Sequence, residues 1–531
     1  MLDGCVPWPA ELSEEYRRAG YWSGRPLGEL LAESCAANAD RVAVVHGERR
    51  VTYGELGAAS LETAGGLLAL GIGPLDRVVV QLPNTPEFVV VVLALLHVGA
   101  IPVLALPGHR KSEITHLCGH SGAVAYVVKD VHGGFDHREL AREVLAAVPG
   151  VRHVVVDGDA AEFTALDSLR AGSADLPRVD PSQPALFLLS GGTTGLPKLI
   201  PRTHDDYAYN MLACARALEV DAGSVYLAVN PVAHNAALGC PGVLGTLLVG
   251  GRVVMAGGLR PDEAFALVRR EGVTFTTLVP PLVRMWVEAA QKSGARIPDV
   301  LLQVGSSKFN PAEAERARKV LDCRLSQWFG VGEGLLTYTR ITDADEVVLH
   351  TEGRPLADAD EVRIAGPADE ELPPGREGEL LVRGPYTIRG YYRAPEQNAR
   401  AFTDDGFFRT GDLAVRRADG NLVITGRIKD VINRVGDKVP AEEVERHLLA
   451  HPGIRDAAVV GVEDPVLGER CYAFVVGRGE ELRAPALKAF LRGSGLATYK
   501  VPDRIVVLDA FPHTAVGKVD KGALRASVAR G

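Results

Sequence analysis

The run Leu189-Ser190-Gly191-Gly192-Thr193-Thr194-Gly195-Leu196-Pro197-Lys198 has the residue types and spacing to cradle a phosphate. Three glycines, two threonines and a serine within six positions cannot be core. They form a loop whose backbone N–H groups are open and whose hydroxyls can donate to oxyanions, closed by a lysine acting as a point charge. The P-loop of nucleoside triphosphatases needs Gly-x4-Gly-Lys-Ser/Thr, whereas the spacing here is Gly191-x3-Gly195-x2-Lys198 with Leu199 following. A P-loop kinase or GTPase is therefore disfavoured. A flexible linker rarely orders Thr-Thr ahead of Pro-Lys directly after a strand.

Other residues could serve such a loop. A carboxylate that holds a metal ion beside phosphates belongs on a loop after a strand, and Phe329-Gly330-Val331-Gly332-Glu333 fits. Magnesium takes one or two protein carboxylates plus phosphate oxygens, so a single glutamate suffices. Thr410-Gly411-Asp412 is weak alone, because turns favour those residues. His234-Asn235 follows the apolar run from Val225, and a metal reading of His234 fails because no second ligand stands at metal spacing. Lys518 lies in a loop too near the end of the sequence to be core.

The elements that must position these residues follow an alternating pattern. Apolar β-branched runs at Val42–Val45, Arg77–Leu82, Ile101–Leu106, Ala123–Val128, Val151–Val156 and Ala185–Leu189 read as strands. Val225–Asn230, Arg252–Ala256, Thr274–Val279 and Val300–Val304 continue the series, with helix-like stretches such as Glu87–Val98 between most of them. This predicts an α/β domain with largely parallel sheets. After about residue 350, short strands at Glu361–Ile364, Gly378–Val382 and Leu422–Thr425 predict a small β-rich subdomain. Helices at Pro440–Ala450 and Ala484–Arg492, with strands at Ala457–Val462, Tyr472–Val476 and Arg504–Leu508, predict a small α+β C-terminal domain.

Composition narrows the partners. A chain of 531 residues exceeds one ordinary core. A net charge of −9 without any Lys/Arg-rich block argues against nucleic acid. The longest apolar run, Phe88 to Leu96, is far short of the roughly 20 residues that span a bilayer, so no membrane partner is expected. Seven scattered cysteines with no CxxC pair, behind an N-terminus that is not a signal peptide, predict reduced thiols in a cytoplasmic protein.

Ser190 to Lys198 resembles the signature loop of the adenylate-forming superfamily, which holds acyl-CoA ligases, luciferases and the adenylation enzymes of nonribosomal peptide synthesis. The longer run Leu189–His204, LSGGTTGLPKLIPRTH, resembles the stand-alone aryl-acid–AMP ligases for 2,3-dihydroxybenzoate and salicylate in siderophore pathways. Similarity extends from Trp8-Pro9 to Gly517-Lys518-Val519-Asp520-Lys521. The resemblance implies ATP binding by Ser190, Gly191, Gly192, Thr193, Thr194, Gly195, Lys198 and Gly305. It implies Mg2+ coordination by Glu333, although Gly332 stands where Thr or Ala is more usual. Asp412 matches the acceptor of the ribose hydroxyls and Arg427 the arginine that reaches the ribose and α-phosphate. Lys429 falls at the hinge about which a mobile C-terminal domain rotates, dividing the chain into 1–428 and 429–531. Lys518 matches the lysine that stabilises the adenylation transition state, with Val516 in place of a usual Asn.

The acyl pocket implied by the resemblance comprises His234, Asn235, Ala236, Cys240, Gly305, Ser306, Ser307, Trp328, Leu336 and Thr337. Asn235 stands where relatives that activate α-amino acids carry an Asp for the ammonium, so an acid without an α-amine is expected. Cys240 and Leu336 replace Ser and Val of the dihydroxybenzoate pattern and resemble the salicylate branch. Ala236 replaces an aromatic, Trp328 a small aliphatic, and Val304-Gly305-Ser306-Ser307-Lys308 the usual Gly-Gly-Ala. Salicylate, a dihydroxybenzoate, a hydroxypicolinate, a hydroxyanthranilate and a bicyclic heteroaryl acid all stay open as substrates. The expected reaction joins the acid to ATP, then passes the aryl group to the phosphopantetheine of a carrier protein. With the chain ending soon after Lys518, that carrier is expected to act in trans. Asn433–Lys438, NRVGDK, resembles the loop that lines the thiol's approach. Coenzyme A as acceptor, and a degenerate adenylate-binding protein, are the two alternatives.

Overall fold

The computed structural model describes residues 1–170, 175–190, 197–258, 260–306, 309, 311–428, 431–434, 437–479, 482–512, 519 and 521–529. Two large sheets form the N-terminal body. One runs in the order Lys198–Thr203, Pro184–Ser190, Ile101–Leu104, Arg77–Gln81, Ala125–Lys129, His153–Asp157, Thr164–Ala165. The other runs from Arg354–Pro355 through Leu336–Tyr338, Arg324–Gly330, Leu301–Val304, Phe275–Leu278, Val225–Ala228, Arg252–Met255 and Val42–His46 to Arg49–Thr52. Both are parallel inside and antiparallel only towards their edges.

Parallel sheets are covered on both faces, and alternation along their strands shows how. Val78 and Val80 join the cluster that both sheets share, while Val79 faces a second cluster behind the first sheet. Tyr226 and Ala228 face the shared cluster, and Val225 and Leu227 the cluster behind the second sheet. The helix Pro86–Val98 is apolar all round because every residue but one is buried in the shared cluster's environment. Proline at its first position and Gly99 at φ 69° just past its end fix its limits.

Lys198–Thr203 is a strand that apolar periodicity does not announce, since Pro201 interrupts it. Proline cannot donate to a ladder, and the strand accordingly sits at the sheet edge, antiparallel to Pro184–Ser190. A four-stranded antiparallel sheet, Glu361–Ala365 to Leu422–Arg427, follows. The C-terminal sheet comprises Val431–Arg434, Asp437–Pro440, Ile454–Asp464, Gly468–Gly477 and Arg504–Leu508. One of its faces packs under the helices Ala441–Leu449 and Ala484–Gly493, the other under Lys521–Ala529. All seven cysteines are free thiols. Among the described residues no helix is long and apolar enough to cross a membrane.

Candidate active site

Ser190 ends one strand and Lys198 begins the next, directly opposite each other in the antiparallel register. Gly191, Gly192, Thr193, Thr194 and Gly195 lie outside the described residues, between these two anchors. The Lys198 ammonium stands 4.2 Å from the centre of the Tyr391 ring, a cation–π contact. Tyr391 donates its hydroxyl to Glu333 Oε1 at 2.6 Å, so one aromatic ring spaces the lysine and the carboxylate. Burial first, and the Glu333 charge second, push the Tyr391 pKa well above its ordinary value, so the phenol keeps the proton it donates. Glu333 is 6% exposed, and its backbone carbonyl accepts from Ile388 N at 2.7 Å.

A mostly buried carboxylate suits Mg2+, which needs few protein ligands when phosphates supply the rest. No cluster of three ligating side chains exists among the described residues. Gly332, the departure from the family pattern, is not a strained position. A Cβ there would meet only Ile200 Cδ1, at 3.0 Å, and its carbonyl is held by Arg202 Nη1 at 3.2 Å.

Asp412 is 2% exposed and sits opposite Arg427 in the register of the four-stranded sheet. The bend before it needs the left-handed conformation of Gly411, φ 70°, whose carbonyl accepts from Ile428 N at 2.8 Å. Only the strand position of Arg427 is described. Lys429 and Lys518 lie outside the described residues.

The residues expected at the acyl end gather around the start of the helix His204–Ala217. Thr203 and Asp206 form a capping box, which sets the first turn. Arg202, fully buried, donates to Asp206 Oδ1 at 2.7 Å and lies 4.9 Å from the Tyr207 ring. The fully buried Tyr207 donates to Asn235 Oδ1 at 2.8 Å. That spends the Asn235 carbonyl and leaves its N–H2 as donor towards a ligand. Gly239 permits the close approach, because a Cβ there would lie 2.3 Å from the Tyr207 hydroxyl oxygen.

His234 caps the short helix Asn235–Gly239, its Nδ1 accepting from Ala236 N at 3.3 Å. His234 is exposed at the surface, with protein packed around part of its ring. Desolvation, then the charge of Lys438, draw its pKa down to about 4, so it is neutral at physiological pH. Lys438 belongs to the C-terminal hairpin Val431–Arg434/Asp437–Pro440, which therefore reaches the acyl end.

Cys240 is buried beside Cys214, and its carbonyl accepts from Tyr338 at 2.8 Å. Trp328 and Tyr338 are cross-strand partners with stacked rings 6.2 Å apart. The indole lies over Gly305, where a Cβ would fall 2.4 Å from Trp328 Cε2. Trp328 is 5% exposed, and its Nε1 has no hydrogen-bond partner among the described residues. Ala236 is buried in the same cluster, and Ser306 is half-buried at φ 68°. Ser307 lies outside the described residues.

Thr337 departs from expectation. Side chains alternate along a strand, so Leu336 and Tyr338 share one face with their partners Gly330 and Trp328, and Thr337 points the other way. Its hydroxyl is spent on the Glu352 carbonyl at 2.6 Å. Tyr338 lies on the same face as Leu336 and Trp328, fully buried. Tyr207 and Tyr391 touch the expected site residues Asn235, Lys198 and Glu333, and nothing near them in sequence marks them.

Residues 31–392 match the family of AMP-binding enzymes, and residues 443–518 match the AMP-binding enzyme C-terminal domain. The chain is 63% identical to triostin synthetase I of Streptomyces triostinicus, over 99% of each chain. It is 48% identical to the salicyl-AMP ligase / salicyl-S-ArCP synthetase of Mycobacterium tuberculosis, over 98% of this chain and 94% of that one. The apo structure of MbtA from Mycobacterium smegmatis superposes with a TM-score of 0.77, at 47% identity and 99% coverage of both chains. The chain belongs to the AMP-binding enzyme family of the adenylate-forming superfamily. Within it, the enzyme is of the aryl-acid–AMP ligase type.

Proposed function

We propose that this enzyme activates an aromatic acid bearing a hydrogen-bond-accepting heteroatom ortho to its carboxylate, and passes the aryl group to the phosphopantetheine thiol of a carrier protein. The Tyr207–Asn235 hydrogen bond carries this reading: it turns a neutral N–H2 donor, rather than a carboxylate, towards the acyl end. An α-ammonium would find no counter-charge at Asn235. The orphaned Trp328 Nε1 favours a ring that carries a second acceptor, such as a heteroaryl nitrogen, since a buried unpaired donor costs about 1–3 kcal/mol.

In the first step the substrate carboxylate attacks the α-phosphorus of ATP, forming the acyl–phosphate bond and releasing pyrophosphate. The loop 190–198 and Lys198 bind the phosphates, Asp412 and Arg427 hold the ribose, and Lys518 offsets the charge developing at the α-phosphate. Glu333, steadied by Tyr391, would hold Mg2+, which when bound neutralises charge on the triphosphate. In the second step a thiol attacks the aryl carbonyl and AMP departs. The name of the mycobacterial relative joins an AMP ligase to a synthetase that loads a carrier, which supports the same pair of steps here. Residues 1–428 and 429–531 act as the two domains, with Lys429 as the hinge between steps.

Acid-dependent pyrophosphate exchange with MgATP tests the first step across salicylate, 2,3-dihydroxybenzoate, 3-hydroxypicolinate, 3-hydroxyanthranilate, quinaldate and several α-amino acids. An ortho-heteroatom aryl acid is expected to win. Activity confined to amino or fatty acids would overturn the Asn235 argument. Transfer to coenzyme A but not to a carrier protein would replace the proposed acceptor.

A further inference from the structure

The segment Gly495–Lys500 of the C-terminal region docks on residues 109–113 of the N-terminal body. Ser112 N donates to the Gly495 carbonyl at 3.3 Å, and the His109 and Tyr499 rings lie 6.4 Å apart. At its centre Lys500 Nζ stands 3.3 Å from Glu113 Oε1 and 2.8 Å from Glu443 Oε2. The side chains of Lys500, Glu113 and Glu443 are 3%, 0% and 0% exposed. Glu113 also accepts from Ala497 N at 3.1 Å and from Arg110 N at 3.0 Å, so it ties its own helix start to the other region.

Two carboxylates from different regions share one ammonium. An isolated buried ion pair is poor evidence for stability, and its best-attested use is to set register or a switch. Here separation leaves no buried charge stranded: Lys500 keeps Glu443, and Glu113 passes to water. Such a contact is specific when closed and can be broken.

Closing it presents one face of the C-terminal sheet. Tyr499 and Val501 pack in the cluster on the side of Ile432 and Val439, the strands of the Lys438 hairpin. Phe511 and Val519, which flank the segment holding Lys518, pack in the cluster on the opposite face. We propose that Glu113, Lys500 and Glu443 form a latch that holds the arrangement with the Lys438 hairpin at the acyl end, and that it opens for the half-reaction assigned to Lys518. This rests on the two-step reading above. Glu113 and Lys500 are thus positioning residues that set the balance between adenylation and thiol transfer.

Glu113→Gln keeps the volume and removes the charge. Spin labels on the exposed sites Glu62→Cys and Arg492→Cys report the distance between the two regions without any turnover. The variant is expected to lose the latched distance, to transfer aryl groups to thiol about five-fold more slowly or worse, and to retain full or raised acid-dependent pyrophosphate exchange. Unchanged distances together with an unchanged ratio of the two rates would overturn the latch. Ala497→Pro is a second test should Glu113→Gln not fold, because φ −57° at Ala497 already suits proline and the substitution deletes the N–H to Glu113. It is expected to shift distance and rate ratio in the same direction, and a wild-type pattern in it would likewise overturn the latch. The label distance needs no substrate, so its failure is separate from failure of the ligase reading.

Discussion

Tyr207→Phe removes one oxygen atom from a fully buried ring, and its consequence can be worked from the site. The lost hydroxyl donates to Asn235 Oδ1 at 2.8 Å and so sets which way the amide turns. A neutral hydrogen bond contributes about 0.5–1.5 kcal/mol net. Asn235 is half-buried, so water can replace the donor and the folded protein loses little stability. The amide, however, is then free to turn its carbonyl towards the acid's ortho acceptor, which converts attraction into repulsion. At 1.36 kcal/mol per decade, the loss corresponds to about 2- to 13-fold in kcat/KM. It should fall on KM for the acid and spare KM for ATP, because Lys198, Glu333 and Asp412 are untouched. The assay is pyrophosphate exchange with the preferred acid, for wild type, Tyr207→Phe, Asn235→Ala and the double variant. Coupling is expected: once Asn235 is gone, Tyr207→Phe should cost nothing further. An unchanged KM for the acid, or strictly additive losses, would refute the orienting role.

Tyr391→Phe should raise the Mg2+ concentration needed for half-maximal exchange several-fold while leaving KM for the acid alone, because Glu333 loses the donor that positions it; a Mg2+ titration of exchange checks this. Lys518→Ala should abolish adenylation and leave ATP binding, measured calorimetrically, largely intact. Asp360 provides a pH signature. Burial, offset in part by the Tyr386 hydroxyl at 2.6 Å, pushes its pKa up to about 7. Between the ordinary carboxylate pKa and about 7 the native state therefore holds a proton that the unfolded chain has lost, so this group's stabilising contribution fades as pH rises through that window. Asp360→Asn should flatten the fall in Tm between pH 5 and pH 7, and an unaltered slope would show that Asp360 does not titrate there.

The expected site is legible in the sequence where its chemistry is local. Ser190–Lys198 is continuous in sequence, and three closely spaced glycines with paired threonines exclude core whatever surrounds them. Glu333 follows the strand Arg324–Gly330 by three residues, so strand periodicity was enough to place it on a loop, whereas Asp412 lies inside the strand Phe408–Arg416, where only its Thr-Gly-Asp context marked it. The helix Pro86–Val98 and most strand centres follow from apolar runs alone, since burial on both faces removes any polar alternation. Lys198–Thr203 escaped that logic, because an edge strand tolerates the proline that a central one could not.

What only the tertiary structure decided are contacts between residues far apart in the chain. Tyr391 meets Glu333 across 58 residues and Tyr207 meets Asn235 across 28. Each tyrosine by itself reads as an ordinary core aromatic, and its hydroxyl acquires meaning only from the acceptor that folding brings to it. Thr337 and Tyr338 are neighbours in sequence, yet the pleat assigns them to opposite faces, a choice set by pairing with Arg324–Gly330. Lys500 and Glu113 lie 387 residues apart. No local pattern couples them, because their charges are tolerable in the interior only when the two regions are already docked.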